Sequence, residues 1–138
     1  LFPELVAFRR SFDRLLMTGS SSLSRNRRVM IALVVSTANQ CPYEILYHQN
    51  DLRNLIQDDE WVNQLTSDLE KINLESSDRE MLKYALKLTR QPSQANREDI
   101  EKLRSAGFDE REIVEIVTVT GYTNFSNRIL NGFGVDPE

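Results

Sequence analysis

Seven consecutive residues, Val29-Met30-Ile31-Ala32-Leu33-Val34-Val35, are apolar, and no other feature limits the fold as much. A helix that is apolar on every side has no face for water, so it must lie at the centre of a fold or between subunits. The β-branched residues are compatible with a strand. The stretch from Ser24 to about Asn39 is 16 residues long, however, and its neighbours are helical in period. Length and period together favour a helix capped by Ser24. The run is too short to cross a bilayer, so no membrane segment is expected.

The same period extends along the chain, with no strand-like alternation and no internal repeat. Pro3 to Met17 predicts an amphipathic helix with Leu5, Phe8, Phe12, Leu15 and Leu16 on one side. Thr18 to Ser22 is a Gly/Ser linker. Pro42 opens a third helix, to about Gln57, because its missing N–H would be unpaired in a first turn anyway. Trp61 to Leu69 is a short helix. Ser77-x-x-Glu80 reads as a capping box opening the next, to about Thr89. Asn96 caps a helix that Gly107 ends, and Asp109-x-x-Glu112 opens the longest, to about Asn131. The expectation is one all-α domain over residues 1–138, a bundle of about six to seven helices.

The net charge of −4 argues against nucleic acid as a partner. The helix–Gly–helix around Gly107 resembles a helix-turn-helix, but Glu110, Glu112 and Glu115 against Arg111 make its second helix too acidic for DNA. The charge is uneven. Arg9, Arg10, Arg14, Arg25, Arg27 and Arg28 stand against Glu4 and Asp13 in residues 1–28. Such a cluster either holds an anionic ligand, pairs with the acidic remainder, or is a solvated face. One cysteine excludes an intrachain disulfide. With no secretory leader read at the start, a cytoplasmic protein is expected.

Chemistry concentrates in one segment, Asn39-Gln40-Cys41-Pro42-Tyr43-Glu44-Ile45-Leu46-Tyr47-His48. Positions i, i+3 and i+7 share a helix face, and Cys41, Glu44 and His48 have that spacing. Cys41 is the only cysteine and His48 the only histidine. A helix N-terminus favours a thiolate. A carboxylate one turn before an imidazole can orient it, raise its basicity and share its proton. The same pair also fits an ordinary helix contact. All three side chains are expected to face a partly buried cavity, with Glu44 raised above its ordinary pKa by apolar neighbours if it acts as an acid. Tyr43 and Tyr47 flank the motif and can line that pocket. Asn124 and Arg128, an i,i+4 pair on an apolar helix, need partners if buried. Three ligands from one helix with no second His make a thin metal set, so neither metal nor cofactor is expected.

These residues resemble the alkylhydroperoxidase D-like and carboxymuconolactone decarboxylase superfamily. Its redox members carry Cys-x-x-Cys-x-x-x-His at a helix start, after an apolar helix ending in Asn-x-Cys. Tyr84-Ala85-Leu86-Lys87-Leu88-Thr89-Arg90-Gln91-Pro92, Leu103-Arg104-Ser105-Ala106-Gly107-Phe108 and Tyr122-Thr123-Asn124-Phe125-Ser126-Asn127-Arg128 are similar to a peroxidase-related branch. The resemblance covers about residues 3–135. It implies that Cys41 matches the partner thiol and His48 the motif histidine, while Glu44 stands where the peroxide-attacking cysteine belongs. Val29 stands where those members carry a proton-relaying Glu. A dithiol cycle needs a second thiolate to resolve the sulfenic acid, so peroxidase activity is expected to be weak or lost. Decarboxylase-like members tend to show Glu-x-x-x-His at this place, which implies proton transfer beside a carbonyl on an unknown small molecule. A non-catalytic binding protein is a third reading.

Two apolar helices, the central one and the last, exceed what about seven helices can enclose. A symmetric partner is therefore expected to cover the remainder, and the resemblance implies a trimer or hexamer. Asn124, Asn127 and Arg128 are placed beside that contact.

Overall fold

The computed structural model describes residues 3–137, and all regular structure among them is helical. Seven α-helices run in the order α1 (Pro3–Asp13), α2 (Arg25–Ala38), α3 (Pro42–Ile56), α4 (Asp59–Ser67), α5 (Ser76–Arg90), α6 (Arg97–Ser105) and α7 (Glu110–Phe133). A π-helical turn, Arg14–Thr18, follows α1, and a short 3₁₀ turn, Pro92–Gln94, follows α5. No helix among the described residues is long and apolar enough to cross a membrane.

The apolar run decides the architecture. Every residue from Arg28 to Ser36 is buried, and α2 packs against α3, α5 and α7. Burial of a Val, Leu or Ile side chain contributes about 1.5–3 kcal/mol, so the five in this run, with Met30 and Ala32 between them, anchor the bundle. Three predicted caps form. Ser24 accepts from the Arg27 N–H, and Asn96 and Asp109 complete capping boxes with Asp99 and Glu112. Gly107, at φ +105°, makes the left-handed corner between α6 and α7.

Other expectations change. Ser77-x-x-Glu80 is not a capping box: α5 begins a residue earlier behind Glu75, with no side-chain cap. Arg27 of α2 takes Ser77 and Asp78 instead, at 3.1 and 2.8 Å. A cross-helix ion pair at one-quarter exposure or less outcompetes a local cap. The fourth helix starts two residues before Trp61, because Asp58 accepts from the Trp61 N–H. The apolar side of α1 does not bury: none of its residues is buried, and Leu5 and Phe8 are exposed, as is Leu15 just beyond. Only Phe12 and Leu16 pack against the core.

The connection from the π-turn to α2 is fixed from both sides. Buried Arg28 donates from Nη1 to the carbonyls of Leu16 and Gly19 at 3.0 and 2.9 Å. The Glu115 carboxylate accepts from the Ser22 and Leu23 N–H groups. Gly19 is required there, since a Cβ would lie 2.6 Å from the Leu15 carbonyl oxygen.

Candidate active site

The turn between α2 and α3 sets the site. Gln40 takes a left-handed conformation at φ +51°, and Pro42 occupies the first turn of α3 as predicted. Asn39 ties the turn to α7: its Nδ2 donates to Asn124 Oδ1 and Asn127 Oδ1, both at 2.9 Å. Arg128 and Asn131 donate to Asn39 in return. Asn124 also donates to Thr89 and to the Thr120 carbonyl. Asn124 and Arg128 therefore belong to a network within one chain that supports the turn.

Cys41, the extended residue that precedes α3, and Glu44 and His48 within it are all buried, at 0, 7 and 8% exposure. Their surroundings differ. Glu44 and His48 line a cavity of about 370 Å³, at the small end of ligand-pocket sizes. Tyr43 and Tyr47 form part of its wall, together with Tyr122 and Thr123 of α7 and residues of α1 and the π-turn. Cys41 is not among the lining residues: it is enclosed by the core. Burial pushes its thiol up from the ordinary value, against the lowering contribution of nearby N–H groups. The thiolate expected from the helix N-terminus is thus reversed, because desolvation of the sulfur outweighs the dipole.

Glu44 is the most heavily coordinated side chain of the site. The Ser126 hydroxyl donates to Oε1, and Asn127 Nδ2 donates to Oε2 at 2.8 Å. Asn127 is fully buried and also donates to Ser36 Oγ at 3.1 Å. Arg9 Nη2 donates to Ser126 Oγ at 2.7 Å and stands 3.6 Å from Glu44 Oε1. His48 Nε2 is 3.7 Å from Oε2, an ion-pair distance beyond a hydrogen bond. Burial pushes the Glu44 carboxyl up, but His48, the Ser126 hydroxyl and the Arg9 charge together outweigh it, and the net shift is downward. The raised carboxyl expected from apolar neighbours is therefore corrected: the neighbours that decide its state are polar, His48 of α3 first, then Ser126 of α7 and Arg9 of α1. Glu44 is an ionised, fully engaged carboxylate.

His48 keeps a free position. Its ring packs edge-on against Tyr47, with centroids 5.2 Å apart, and its buried Nδ1 has no hydrogen-bond partner among the described residues. Across the cavity, the Tyr122 hydroxyl donates to Asp13 Oδ1 at 2.8 Å. Sequence reasoning missed Ser126 as a site residue and placed Asn127 elsewhere. The available signal was their polarity on an apolar helix, which demands partners without saying which.

An all-helical bundle with a carboxylate–imidazole pair beneath a small cavity defines a class, and comparison with known proteins gives the family. Residues 3–70 match the carboxymuconolactone decarboxylase family. The fold superposes on an uncharacterized peroxidase-related protein of Silicibacter sp. TM1040 with a TM-score of 0.94. That match has 35% identity and covers 98% of this chain and 71% of the other. A second peroxidase-related protein, described as an alkylhydroperoxidase D core, from Ralstonia eutropha JMP134, is 29% identical at a TM-score of 0.92. It covers 99% of this chain and 72% of the other. A protein of unknown function from Agrobacterium tumefaciens, 23% identical over 99% of this chain and 93% of its own, shares the fold at a TM-score of 0.84. No functionally curated protein matches the chain. The chain belongs to the alkylhydroperoxidase D-like and carboxymuconolactone decarboxylase superfamily.

Proposed function

We propose that this member of the superfamily is a proton-transfer enzyme acting on a carbon beside a carbonyl, as decarboxylation or isomerisation requires, with dithiol peroxidase activity weak or absent. The observation that carries the reading is the contrast between Glu44 of α3 and Cys41 just before it. Glu44 is ionised and held at the cavity, whereas Cys41 is a neutral thiol outside it.

A carboxylate that accepts two strong hydrogen bonds is a weak base, so Glu44 is the positioning group. His48 moves the proton. In isomerisation its imidazole removes a proton from one carbon and returns it to another, while the negative charge of Glu44, 3.7 Å away, stabilises the imidazolium between the steps. In decarboxylation the carbon–carboxylate bond breaks, CO₂ leaves, and the imidazolium delivers its proton to the enolate that remains.

Two assays test the proposal together. Peroxide consumption with an added dithiol is expected at background level, unchanged in Cys41→Ser. Deuterium incorporation from D₂O into a panel of short oxo-acids is expected with the native protein and with Cys41→Ser, and is expected to be lost in His48→Gln. Robust peroxide turnover that vanishes in Cys41→Ser would overturn the reading, as would exchange that His48→Gln leaves untouched.

A further inference from the structure

The structure sorts the six N-terminal arginines into two groups. Arg25 pairs with Asp51 at 2.9 Å, Arg27 with Asp78 at 2.8 Å, and Arg28 is spent on the Leu16 and Gly19 carbonyls. Arg9 donates to Ser126. Arg10 and Arg14 make no ion pair and no side-chain hydrogen bond among the described residues, yet both line the cavity that contains His48. They stand four positions apart, Arg10 on α1 and Arg14 in the π-turn that continues it, so both side chains rise on one side of the same segment.

We propose that Arg10 and Arg14 form the recognition site for the charged end of the substrate, and that this substrate is a small organic carboxylate. The inference rests on the proton-transfer reading of the same cavity and adds its ligand class. The charges around the cavity favour an anion. The two carboxylates in its lining are already engaged, Asp13 by the Tyr122 hydroxyl and Glu44 by Ser126 and Asn127. Those donors are neutral and leave both charges in place, so Arg9, Arg10 and Arg14 against Asp13 and Glu44 give the lining an excess of one positive charge, and the heads of Arg10 and Arg14 have no partner among the described residues. The guanidinium fork matches a carboxylate in two-point geometry. The walls select a carbon skeleton, because the rings of Tyr43, Tyr47 and Tyr122 line the same cavity as these arginines and His48. A volume of about 370 Å³ accommodates a short oxo-acid or a single-ring acid and little more.

The π-helical turn gives the arrangement its register. One extra residue in the turn re-aims the side chains that follow, and Arg28 pins that turn through the Leu16 and Gly19 carbonyls. Arg14 opens that turn, and its carbonyl accepts from the Gly19 N–H at 2.8 Å, so the pinned segment closes back on it.

The test is equilibrium binding, measured apart from turnover. A panel of short oxo-acids and aromatic acids is titrated by NMR or calorimetry at fixed ionic strength, each beside its neutral methyl ester. Acids are expected to bind at least about tenfold more tightly than their esters, with a preference that falls as salt rises. That preference is expected to disappear in the Arg10→Gln/Arg14→Gln double variant and to survive in Arg97→Gln, a control on an arginine outside the cavity. It is also expected to survive in His48→Gln. Failure of every acid to outbind its ester, or a preference that the double variant retains, overturns the proposal. The two readings fail separately. Acids that bind without deuterium exchange sink the proton transfer and leave the anion site standing. Exchange equal in acids and esters sinks the anion site and leaves the proton transfer.

Discussion

Replacing Asn127 by Ala removes three hydrogen bonds at once from a side chain with no exposure. Its Nδ2 serves Glu44 Oε2 and Ser36 Oγ, and its Oδ1 accepts from Asn39. The bond to the carboxylate is charge-assisted and contributes about 1.5–3 kcal/mol, against about 1 kcal/mol for a neutral one. Glu44 keeps Ser126, so it loses one of its two strong donors rather than both. A total destabilisation of about 3.5–5 kcal/mol near neutral pH follows from one charge-assisted and two neutral bonds. Urea unfolding followed by circular dichroism measures it. The part that belongs to Glu44 is isolated by a double-mutant cycle with Glu44→Gln, where a coupling of about 1.5–2 kcal/mol is expected. A coupling below about 0.5 kcal/mol, the scatter of independent sites, would refute the claim that Asn127 holds this carboxylate.

Three further outcomes are expected. Cys41 is fully enclosed with its thiol pushed up, so a thiol reagent at neutral pH should label it only after denaturation; rapid labelling of the native protein would contradict this. Glu44 is held below its ordinary value near 4.5, so its contribution to stability is complete above that value and is lost as pH falls from there through the lower folded-state value. Glu44→Gln should therefore show a flatter acid limb in urea titrations, and an unchanged limb would count against the ionised carboxylate. We also propose that the chain assembles into a trimer or hexamer: Leu5 and Phe8 of α1 and Phe125, Ile129 and Phe133 of α7 are all exposed large apolar side chains. Light scattering at micromolar concentration should give a multiple of the 16.0 kDa chain, and a stable monomer would refute it.

Local signals in the sequence were reliable wherever the partner was also local. Ser24, Asn96 and Asp109 cap their helices because the N–H groups they serve are two or three residues away. Val29 to Val35 as a helix could lie only at the centre of the fold or between subunits, and α2 is central within the chain. Where a distant residue competed, the local signal lost. Ser77 and Asp78 were drawn to Arg27 across fifty residues. The dipole at the start of α3 was real, but the packing around Cys41 decided the thiol. The helical spacing brings Glu44 and His48 together, since both lie within α3 one turn apart, whereas Cys41 is the extended residue before it. It did not show that the cavity begins at Glu44 and leaves Cys41 behind it, because the wall is made by α1 and α7. Ser126, Asn127 and Arg9 were hidden for the same reason: their partner lies more than eighty residues away for α7, and thirty-five for Arg9.

The ionisation of Glu44 separates a rebuilt acid–base site from a site that merely lost a cysteine. A ¹³C NMR titration of the Glu44 carboxyl, assigned by comparison with Glu44→Gln, measures it directly. The account predicts a transition displaced below the ordinary glutamate value, moving back up when Asn127 is replaced by Ala and Arg9 by Gln. A transition at or above the ordinary value in the native protein would contradict it, and would return Glu44 to the role of a protonated acid.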